Sequence, residues 1–582
     1  MVYRMEYPRP DYQRSLWMNL NGQWDFAFDD QDQGKCQQWE QEFPASRKIQ
    51  VPFCYQSALS GIHEQQIHPI FWYTRTFRLP QNFAGKRILL HFGAVDYRCE
   101  VFVNGRAVGS HSGGYTPFHF SIENYLIPGE NRLTVRVEDR PDCAQPRGKQ
   151  FWKENGERCW YVANSGIWQT VWLEAVGQTY LQSIQIWPDI DRRQICLDVT
   201  LDQAPVKPLM LDATITFGDQ IVTQFRQSLQ RKRTKLTISL EETDFIDEYH
   251  YWWPHAPNLF DVQFVLTSGA AELDRVSSYF GMRKISCRNG HIMLNNMPYY
   301  QKLVLDQGYW EDGLLTAPSD EAIRRDVELT KELGFNGARK HQKIEDPRYY
   351  YWADKLGLLV WGELPSSYEF CADEMAMQMD QMREFVLRDA NHPCIVAWVP
   401  LNESWGVRNI IADPQQQQYA AALYHMIKAL DKTRLISNND GWEQVNQTDI
   451  YGIHDYRPFG DRFAADYADP EKIFETTPAA RLMMADGQPF EDKAIMVTEF
   501  GGIALQSGKG DFWGYNGLEK DEEDFLKRYG SLIRGLGEIP YLQGFCYTQL
   551  TDVFQEQNGL LNMDRTYKID PEKVRKINQF MK

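Results

Sequence analysis

The sequence predicts three consecutive domains: a jelly-roll-like β-sandwich, an immunoglobulin-like β-sandwich and a C-terminal (β/α)8 TIM barrel. Its 582 residues are too many for a single hydrophobic core. About the first 280 residues carry short strand-like runs separated by turn dipeptides, and the remainder alternates apolar runs with helical patterns. We therefore divide the chain into residues 1–178, 179–284 and 285–582.

The first domain is predicted from runs of strand composition at residues 89–92, 99–103 and 133–137. Turn signals such as Asn104-Gly105 separate these runs, and repeated short strands with such turns are typical of a sandwich. We expect residues 166–174 to form its closing strand.

The second domain is predicted from alternating runs at residues 195–199, 211–215 and 262–266. About 100 residues with this pattern suit an immunoglobulin-like sandwich. The Cys…Trp…Cys spacing of a true antibody domain is missing, so we expect a related sandwich without its disulfide.

The third domain contains eight candidate strands, which begin near residues 300, 334, 357, 394, 434, 448, 494 and 542. The helical candidates span residues 319–333, 374–389, 414–430, 520–536 and 571–581. The helices between strands five and seven are poorly defined by the pattern. Eight strands in about 290 residues match a (β/α)8 barrel. The alternative, an open doubly wound sheet, is disfavoured because no G-x-G-x-x-G follows the first strand.

Charge and cysteine usage exclude several classes of protein. The formal net charge is −17 and the basic cluster at residues 231–233 is short, so we expect no nucleic-acid and no membrane partner. The ten cysteines include no C-x-x-C pair, which predicts neither a zinc site nor a thioredoxin-type site. Residues 1–11 are polar, and no window of about 18 apolar residues follows. We expect a soluble, cytoplasmic protein with free thiols and no cofactor.

Polar residues at the C-terminal ends of the strands line the active site of a (β/α)8 barrel. The residues that meet this rule are Arg339 and His341 after strand two, Glu363 after strand three, Asn402 and Glu403 after strand four, His454 and Tyr456 after strand six, Glu499 after strand seven, and Tyr547 and Gln549 after strand eight.

Glu403 and Glu499 are predicted to face each other across the barrel mouth. Cleavage of a glycosidic bond needs such a pair, because one carboxyl group protonates the leaving oxygen while the other attacks the anomeric carbon. A separation near ~5–5.5 Å gives retention of configuration, whereas a wider gap admits water and gives inversion. The acid must be held protonated and the nucleophile ionised, so we expect their surroundings to differ.

Other interpretations of single residues stay open. A glutamate at the end of a strand can cap a helix or pair with an arginine, and Arg339 can be a structural ion-pair partner. His341 and His454 can be loop histidines with satisfied hydrogen bonds. Alternatively, Arg339, His341 and Tyr456 donate hydrogen bonds that keep one carboxylate ionised.

Several segments together resemble glycoside hydrolase family 2, the group that holds β-galactosidases, β-glucuronidases and β-mannosidases. Residues 391–398 (NHPCIVAW) with 402–404 (NES) resemble its acid/base signature, N-H-P-x-I/V-x-x-W…N-E. Residues 334–341 (GFNGARKH) are similar to its G-F-N-x-x-R-x-x-H segment, with one residue fewer before the histidine. Residues 498–501 (TEFG) resemble its nucleophile strand, and residues 165–172 (SGIWQTVW) resemble its N-terminal sugar-binding sandwich.

The resemblance implies roles for individual residues. Glu403 would be the general acid and base, Glu499 the nucleophile, and Asn402 a donor to the sugar 2-OH. The further candidates for substrate binding are Arg339, His341, His454, Tyr456, Asp306, Gln549, Tyr547 and Trp513.

Departures from the family pattern bear on the substrate and on metals. Family β-glucuronidases hold the sugar carboxylate with an Asn-x-Lys motif, whereas no lysine follows two places after Asn558 here. Lys509 or Arg457 could substitute for it. The carboxylate-and-histidine pattern of the magnesium site in the large β-galactosidases is missing from residues 363–367, so we predict no metal.

The sequence therefore favours a retaining exo-β-glycosidase of β-galactosidase type that acts on a carbohydrate. The same chemistry on a glucuronide, galacturonide, mannoside, glucoside or α-L-arabinopyranoside is the main alternative. A transglycosidase and a non-catalytic carbohydrate-binding protein are the others. The β-sandwiches are expected to shape the aglycone side, and they offer surfaces for a homo-oligomer.

Overall fold

A computed structural model describes residues 3–44, 47–154, 156–240, 250–470, 472–505 and 513–579. The N-terminal part is a sandwich of a four-stranded sheet (β1-β12-β5-β9) and a six-stranded sheet (β3-β2-β4-β10-β7-β8), with β6 and β11 paired beside them. Its strands are β1 (Trp17–Asn19), β2 (Gly22–Phe28), β3 (Arg47–Val51), β4 (Ile70–Arg78), β5 (Arg87–Phe92), β6 (Val95–Asp96), β7 (Arg98–Val103), β8 (Arg106–Ser112), β9 (Phe118–Ser121), β10 (Glu130–Glu138), β11 (Gly166–Ile167) and β12 (Val171–Val176).

The inner faces of these two sheets share one apolar core. It contains Trp24, Phe71, Leu90 and Val135, all almost completely buried. Such inward-facing residues alternate with outward-facing ones along each strand, and their burial holds the sheets face to face. The predicted closing strand is divided into β11 and β12, with residues 168–170 between them.

A long connection between β10 and β11, residues 139–165, leaves the first sandwich and contacts the barrel. We call it the crossing segment. The backbone N–H groups of Arg147 and Gly148 donate to the carbonyl of Ser366 at 3.0 and 2.9 Å. The hydroxyl of Tyr161 donates to Oε2 of Glu556 at 2.5 Å. The first domain therefore contributes directly to the surroundings of the barrel mouth.

The second sandwich packs a three-stranded sheet (β13-β14-β17) against a four-stranded sheet (β16-β15-β20-β21). Its strands are β13 (Leu181–Asp189), β14 (Gln194–Leu201), β15 (Leu209–Phe217), β16 (Gln220–Leu229), β17 (Arg233–Ser239), β18 (Trp252–Trp253), β19 (Ala256–Pro257), β20 (Phe260–Ser268) and β21 (Ala271–Phe280). The regular buried–exposed alternation of β14 and β20 explains why these segments were recognisable from sequence.

The C-terminal part is an eight-stranded parallel barrel with strand order β30-β28-β27-β26-β25-β36-β33-β32. Its strands, with the preceding hairpins and short additions, are β22 (Ile285–Arg288), β23 (His291–Leu294), β24 (Met297–Pro298), β25 (Gln301–Asp306), β26 (Gly337–Lys340), β27 (Leu359–Glu363), β28 (Ile395–Val399), β29 (Leu401–Asn402), β30 (Leu435–Ile436), β31 (Asn439–Asp440), β32 (Ile450–His454), β33 (Ala494–Gly501), β34 (Ala504–Leu505), β35 (Leu518–Glu519) and β36 (Leu542–Thr548). Among the described residues no ladder joins β30 to β32, so the barrel is nearly closed.

Helices cover the outside of the barrel. They are α1 (Asp320–Glu332), α2 (Pro347–Leu356), α3 (Ala372–Asp389), α4 (Pro414–Leu430), α5 (Asp461–Asp466), α6 (Glu522–Gly537) and α7 (Pro571–Gln579). The predicted start of α1 is confirmed, because Ser319 caps it by accepting from the backbone N–H of Ala322 at 3.1 Å. Helix α2 was not predicted, although Asp346 as N-cap and Pro347 in the first turn mark its start.

The eight predicted strand positions correspond to the eight strands of the barrel sheet. Between β30 and β32 the chain forms β31 and loops, and between β32 and β33 it forms the short α5 and two 3-10 turns, Lys472–Glu475 and Pro478–Ala480. This irregularity explains the weak helical pattern there. All ten cysteines lie in the described ranges and each is a free thiol. Across those ranges, no helix is both long and apolar enough to cross a membrane.

Candidate active site

The mouth of the barrel brings two carboxylates and one imidazole together. Glu403 directly follows β29, Glu499 lies within β33, and His454 ends β32. One ligand atom from each of these three side chains lies within 4.8 Å of the other two. The carboxylates that follow or end strands four and seven therefore lie close together, as predicted.

The backbone at Glu403 is held in an unusual conformation. Glu403 and Ser404 have φ values of 52° and 59°, a left-handed region that costs about 1–2 kcal/mol for a residue with a side chain. Three hydrogen bonds hold this turn: Glu403 N–H to the Asp440 carbonyl at 2.9 Å, Ser404 N–H to Asn439 Oδ1 at 3.0 Å, and Ser404 Oγ to Glu443 Oε2 at 2.6 Å. Backbone strain that neighbouring hydrogen bonds hold in place is characteristic of functional sites.

Arg339 is the cation at the centre of the barrel. Its side chain is completely buried and contacts Glu363 Oε2 at 2.7 Å, Asp440 Oδ2 at 2.6 Å and Glu499 Oε1 at 3.0 Å. Its Nη2 donates to Oδ1 of Asn402 at 2.6 Å. A buried guanidinium is stable only when such partners replace water, so Arg339 fixes the positions of the residues around it.

Glu499 is surrounded by hydrogen-bond donors. Tyr456 donates its hydroxyl to Oε2 of Glu499 at 2.6 Å, and Arg339 donates to Oε1. Burial by itself would raise the pKa of Glu499, but the charges of His454 and Arg339 outweigh it and leave the pKa below its usual value. Glu499 is thus kept ionised, which a nucleophile requires.

His454 stands between the carboxylates. Its Nδ1 lies 2.8 Å from Glu403 Oε1 and 3.4 Å from Glu499 Oε2, and its Nε2 lies 3.2 Å from Asp440 Oδ2. Burial lowers the pKa of His454, but the charge of Glu499 and the hydrogen bonds to Asp440 and Glu403 raise it to about 10. We therefore assign an imidazolium that donates from Nδ1 to Glu403, while its Nε2 lies 3.2 Å from both Asp440 Oδ2 and Arg339 Nη1.

His341 and Asn402 are two further polar residues of the site. Nδ1 of His341 lies 3.1 Å from Glu363 Oε1, and burial lowers the pKa of this histidine, which keeps it neutral. The Nδ2 group of Asn402 is buried and has no hydrogen-bond partner among the residues described. Because buried donors are normally paired, this amide is a free hydrogen-bond donor within the site.

Two residues predicted to touch substrate lie on the outside of the barrel, which corrects that expectation. Asp306 accepts from Lys340 Nζ at 2.8 Å, and this ammonium lies over the ring of Tyr349 in α2. Tyr547 packs against Tyr529 of α6, with ring centroids 5.0 Å apart. Side chains alternate between the two faces of a strand, so Lys340 points outward because its neighbour Arg339 points inward.

Gln549 and Trp513 pair with residues other than the two carboxylates. Gln549 accepts from Gln307 Nε2 at 3.0 Å and donates to Asn558 Oδ1 at 2.7 Å. The Trp513 ring lies 4.5 Å from that of Tyr515, which stacks on Tyr456 at 3.9 Å. Trp513 is therefore linked to Tyr456 of the site by the ring of Tyr515.

Arg457 and Lys509 were the two cations that could replace the lysine missing after Asn558. Arg457 is occupied by Asp455 at 2.5 Å and Asp466 at 2.9 Å. Lys509 lies outside the described residues.

Glu403, His454 and Glu499 are also spaced to hold a metal ion. A metal-binding histidine must be neutral at the ligating nitrogen, whereas both ring nitrogens of His454 face carboxylates and its pKa is raised to about 10. The positive charge between the carboxylates is thus supplied by the imidazolium, and the donor set does not fit a metal well.

Three residues of the site were not predicted. Asp440 follows the short fifth strand in the polar run 437–440, and that run was the available signal. Trp405 follows the acid/base signature, and its ring lies 6.3 Å from that of His341. Lys149 comes from the crossing segment, with Nζ 4.8 Å from the centroid of the Trp405 ring. No local pattern connects Lys149 with the barrel, because the contact is between domains.

Comparison with known families gives a consistent match along the chain. Residues 17–173 match "Glycosyl hydrolases family 2, sugar binding domain", residues 179–283 match "Glycosyl hydrolases family 2", and residues 285–531 match "Glycosyl hydrolases family 2, TIM barrel domain".

Similar proteins carry two different names. A β-glucuronidase of Streptococcus agalactiae is 22% identical over 584 residues, which cover 93% of this chain and 90% of that protein. A β-galactosidase of Thermoanaerobacter pseudethanolicus is 27% identical over 355 residues, but these cover 59% of this chain and 46% of that protein. The chain thus spans less than half of that longer relative. The crystal structure of Ruminococcus gnavus β-glucuronidase has a TM-score of 0.79 at 19% identity, with full coverage of both chains, and so shares the fold.

Proposed function

Because the chain belongs to family 2 of the glycosyl hydrolases, we propose that it is a retaining exo-β-glycosidase with Glu499 as nucleophile and Glu403 as general acid and base. The observation that carries this proposal is the separation of their carboxyl groups, whose oxygens lie within 4.8 Å. Retaining enzymes hold the two groups at about 5–5.5 Å, whereas inverting enzymes leave about 6.5–9.5 Å for a water molecule. The short separation favours direct attack by Glu499.

In the first step Glu499 attacks the anomeric carbon from the face opposite the leaving group. The bond from carbon to Glu499 forms as the glycosidic bond breaks, and Glu403 gives its proton to the departing oxygen. Nδ1 of His454 lies 2.8 Å from Oε1 of Glu403 and so helps to orient this carboxyl group.

In the second step water releases the sugar. Glu403, now without its proton, takes one from water, and the oxygen attacks the anomeric carbon as the bond to Glu499 breaks. Two displacements restore the β configuration. Arg339 and Tyr456 stabilise the charge that returns to Glu499, because both donate to its carboxylate.

The other groups of the site fit a sugar in this position. The unpaired Nδ2 of Asn402 supports its role as donor to the 2-OH, where hydrogen bonds strengthen in the transition state. The crossing segment lies against the barrel mouth through Arg147, Gly148 and Tyr161. A mouth bordered by this segment favours a pocket for one terminal sugar over an open groove, and so supports exo action on a carbohydrate.

Two classes of sugar remain candidates. The missing lysine after Asn558 favours a neutral sugar, with a β-galactoside first among them. A β-glucuronide or β-galacturonide is the second class. The observation that favours this second class is Lys149, and it forms the basis of the further inference below.

The first experiment is hydrolysis of a p-nitrophenyl panel of β-galactoside, β-glucuronide, β-galacturonide, β-mannoside, β-glucoside and α-L-arabinopyranoside. In parallel, Glu499→Ala should abolish turnover, since each 1.36 kcal/mol added to the barrier is a tenfold loss in rate. Azide should restore release of p-nitrophenol from that variant and give a glycosyl azide of inverted configuration, because azide fills the space of the removed carboxylate.

The matched control is Glu321→Ala, which removes an exposed carboxylate in the first turn of α1. It should turn over at the wild-type rate. Near-wild-type turnover by Glu499→Ala would remove Glu499 from the nucleophile role. Silence of the folded wild-type protein across the whole panel would instead favour a carbohydrate-binding protein.

A further inference from the structure

The crossing segment brings a buried ammonium group to the mouth of the barrel. Lys149 is only 4% exposed, and its Nζ lies 4.8 Å from the centroid of the Trp405 ring. Trp405 is two residues beyond Glu403, so the ammonium borders the pocket of the two carboxylates.

Groups of the crossing segment, of the loop after strand eight and of the pocket act on Lys149. Burial lowers the pKa of Lys149, but Cys159, Glu556, Glu499 and Glu403 together raise it above its usual value. The side chain is therefore a cation at neutral pH. The Trp405 ring beside this ammonium also lies 6.3 Å from the ring of His341, which places Lys149 at the edge of the site.

Lys149 has no carboxylate partner at contact distance. Among the described residues, no carboxylate oxygen lies within the 4.0 Å of an ion pair from its Nζ. The two other buried lysines are both paired, Lys340 with Asp306 at 2.8 Å and Lys343 with Glu345 at 2.8 Å. A buried ammonium without a carboxylate partner is incompletely compensated for its desolvation, so an incoming anion would be bound favourably.

Glu556, the acidic residue after strand eight whose charge acts on Lys149, does not fill this position. Its Oε2 accepts from the Tyr161 hydroxyl at 2.5 Å and its Oε1 accepts from Asn558 Nδ2 at 3.2 Å. Both oxygens are thus engaged by other donors. Burial raises the pKa of Glu556, which further reduces its value as a counter-ion.

We propose that Lys149 binds the carboxylate of a uronic-acid sugar in the pocket of Glu403 and Glu499, and that it determines specificity for uronides. The proposal rests on the glycosidase function proposed above. It places the cation that recognises the sugar acid on the N-terminal sandwich domain instead of on the loop after strand eight. Charge-assisted hydrogen bonds of this kind are about twice as strong as neutral ones, so loss of the ammonium should weaken uronides selectively.

The test compares substrates that differ only at C6, namely p-nitrophenyl β-glucuronide with β-glucoside and β-galacturonide with β-galactoside. We expect the wild-type protein to prefer the uronide of a pair. Lys149→Met should lower the ratio of kcat/KM for uronide over neutral sugar by about 10- to 100-fold, the value of one hydrogen bond to a charged group. Lys149→Arg should retain most of the ratio because it keeps the charge.

The matched control is Lys153→Met, which removes an exposed lysine of the same segment. It should leave both rates unchanged. If Lys149→Met lowered kcat/KM equally for the uronide and the neutral sugar of a pair, the proposal would be overturned. Lys149 would then stabilise the site without recognising the sugar carboxylate. A wild-type preference for p-nitrophenyl β-galactoside 6-phosphate would also overturn it, since the anion would then be a phosphate.

A binding measurement separates this proposal from the glycosidase function. D-glucuronate and D-galacturonate are titrated calorimetrically into wild-type protein, Lys149→Met and Glu499→Gln, with D-glucose as the neutral comparison. Binding of either uronate that is lost in Lys149→Met but kept in Glu499→Gln supports the proposal even if no substrate is cleaved. Cleavage of neutral glycosides without uronate binding or preference would overturn it and leave the glycosidase function intact.

Discussion

Nδ1 of His454 lies 2.8 Å from Oε1 of Glu403. The same imidazole faces Asp440 through Nε2 and lies within 3.4 Å of Glu499. Three acidic neighbours around one histidine explain why its pKa is raised to about 10 in spite of complete burial. Protonation of His454 therefore stabilises the folded barrel.

The contribution of His454 to stability should depend on pH. Its folded pKa of about 10 lies above the ordinary value of 6.5, so the stabilisation is fully present below pH 6.5 and disappears as the pH rises toward 10. The melting temperature of wild-type protein should exceed that of His454→Gln most at pH 6, and the difference should shrink steadily up to pH 10. Differential scanning fluorimetry across this range measures it. His425→Gln, at an exposed histidine, is the control for loss of an imidazole, and a difference for His454→Gln that does not change with pH would contradict the imidazolium assignment.

Replacement of Glu403 by alanine should have an effect that depends on the leaving group. Without an acid, kcat/KM for an alkyl or oligosaccharide substrate should fall by about 10²–10⁴-fold, whereas a 2,4-dinitrophenyl glycoside, whose leaving group needs no proton, should lose far less in its first step. Steady-state and burst kinetics on both substrates test this. Equal losses on the two would mean that Glu403 does not act as the acid.

Asn402→Ala should affect substrates according to whether they carry a 2-OH group. Its Nδ2 is buried and unpaired among the described residues, and hydrogen bonds to the 2-OH contribute to the transition state. We expect a loss in kcat/KM of roughly 10²-fold on a 2-hydroxy glycoside and a much smaller loss on the matching 2-deoxy glycoside. If both substrates slow by the same factor, Asn402 acts only through Arg339, to which its Oδ1 is hydrogen-bonded at 2.6 Å.

Arg339→Met should destabilise the barrel and abolish activity together. The substitution leaves Glu363, Asp440 and Glu499 buried without their shared cation, and breaking a buried ion pair costs about 3–5 kcal/mol. The apparent melting temperature should fall clearly below that of Arg324→Met, whose side chain is 51% exposed and pairs only at the surface. An unchanged melting temperature would show that the acidic cluster tolerates loss of its cation.

The sequence was sufficient to recognise the elements of the barrel and the pair of carboxylates. Continuous apolar runs and helical patterns of period 3.6 are local, so the eight barrel strands and helices such as α1 and α4 could be located without tertiary information. Glu403 and Glu499 followed because the C-terminal ends of parallel strands meet at one end of a barrel. Helix α2 carried comparable signals in Asp346 and Pro347 and could have been predicted in the same way.

Only the tertiary structure decided which side chains at the strand ends face the site. Asp306 and Tyr547 lie near the ends of apolar strands as Glu499 does, yet their side chains point to the helices. Asp306 is in register with the outward-facing Lys340, and Tyr547 packs against Tyr529 of α6. Asp440 joins the site through a parallel pair with Asn402 that no sequence period marks. Lys149 is separated from Glu403 by more than two hundred residues, and it reaches the pocket only because two separately folded domains pack together. Local periodicity determines elements, whereas contacts between distant segments depend on how those elements pack.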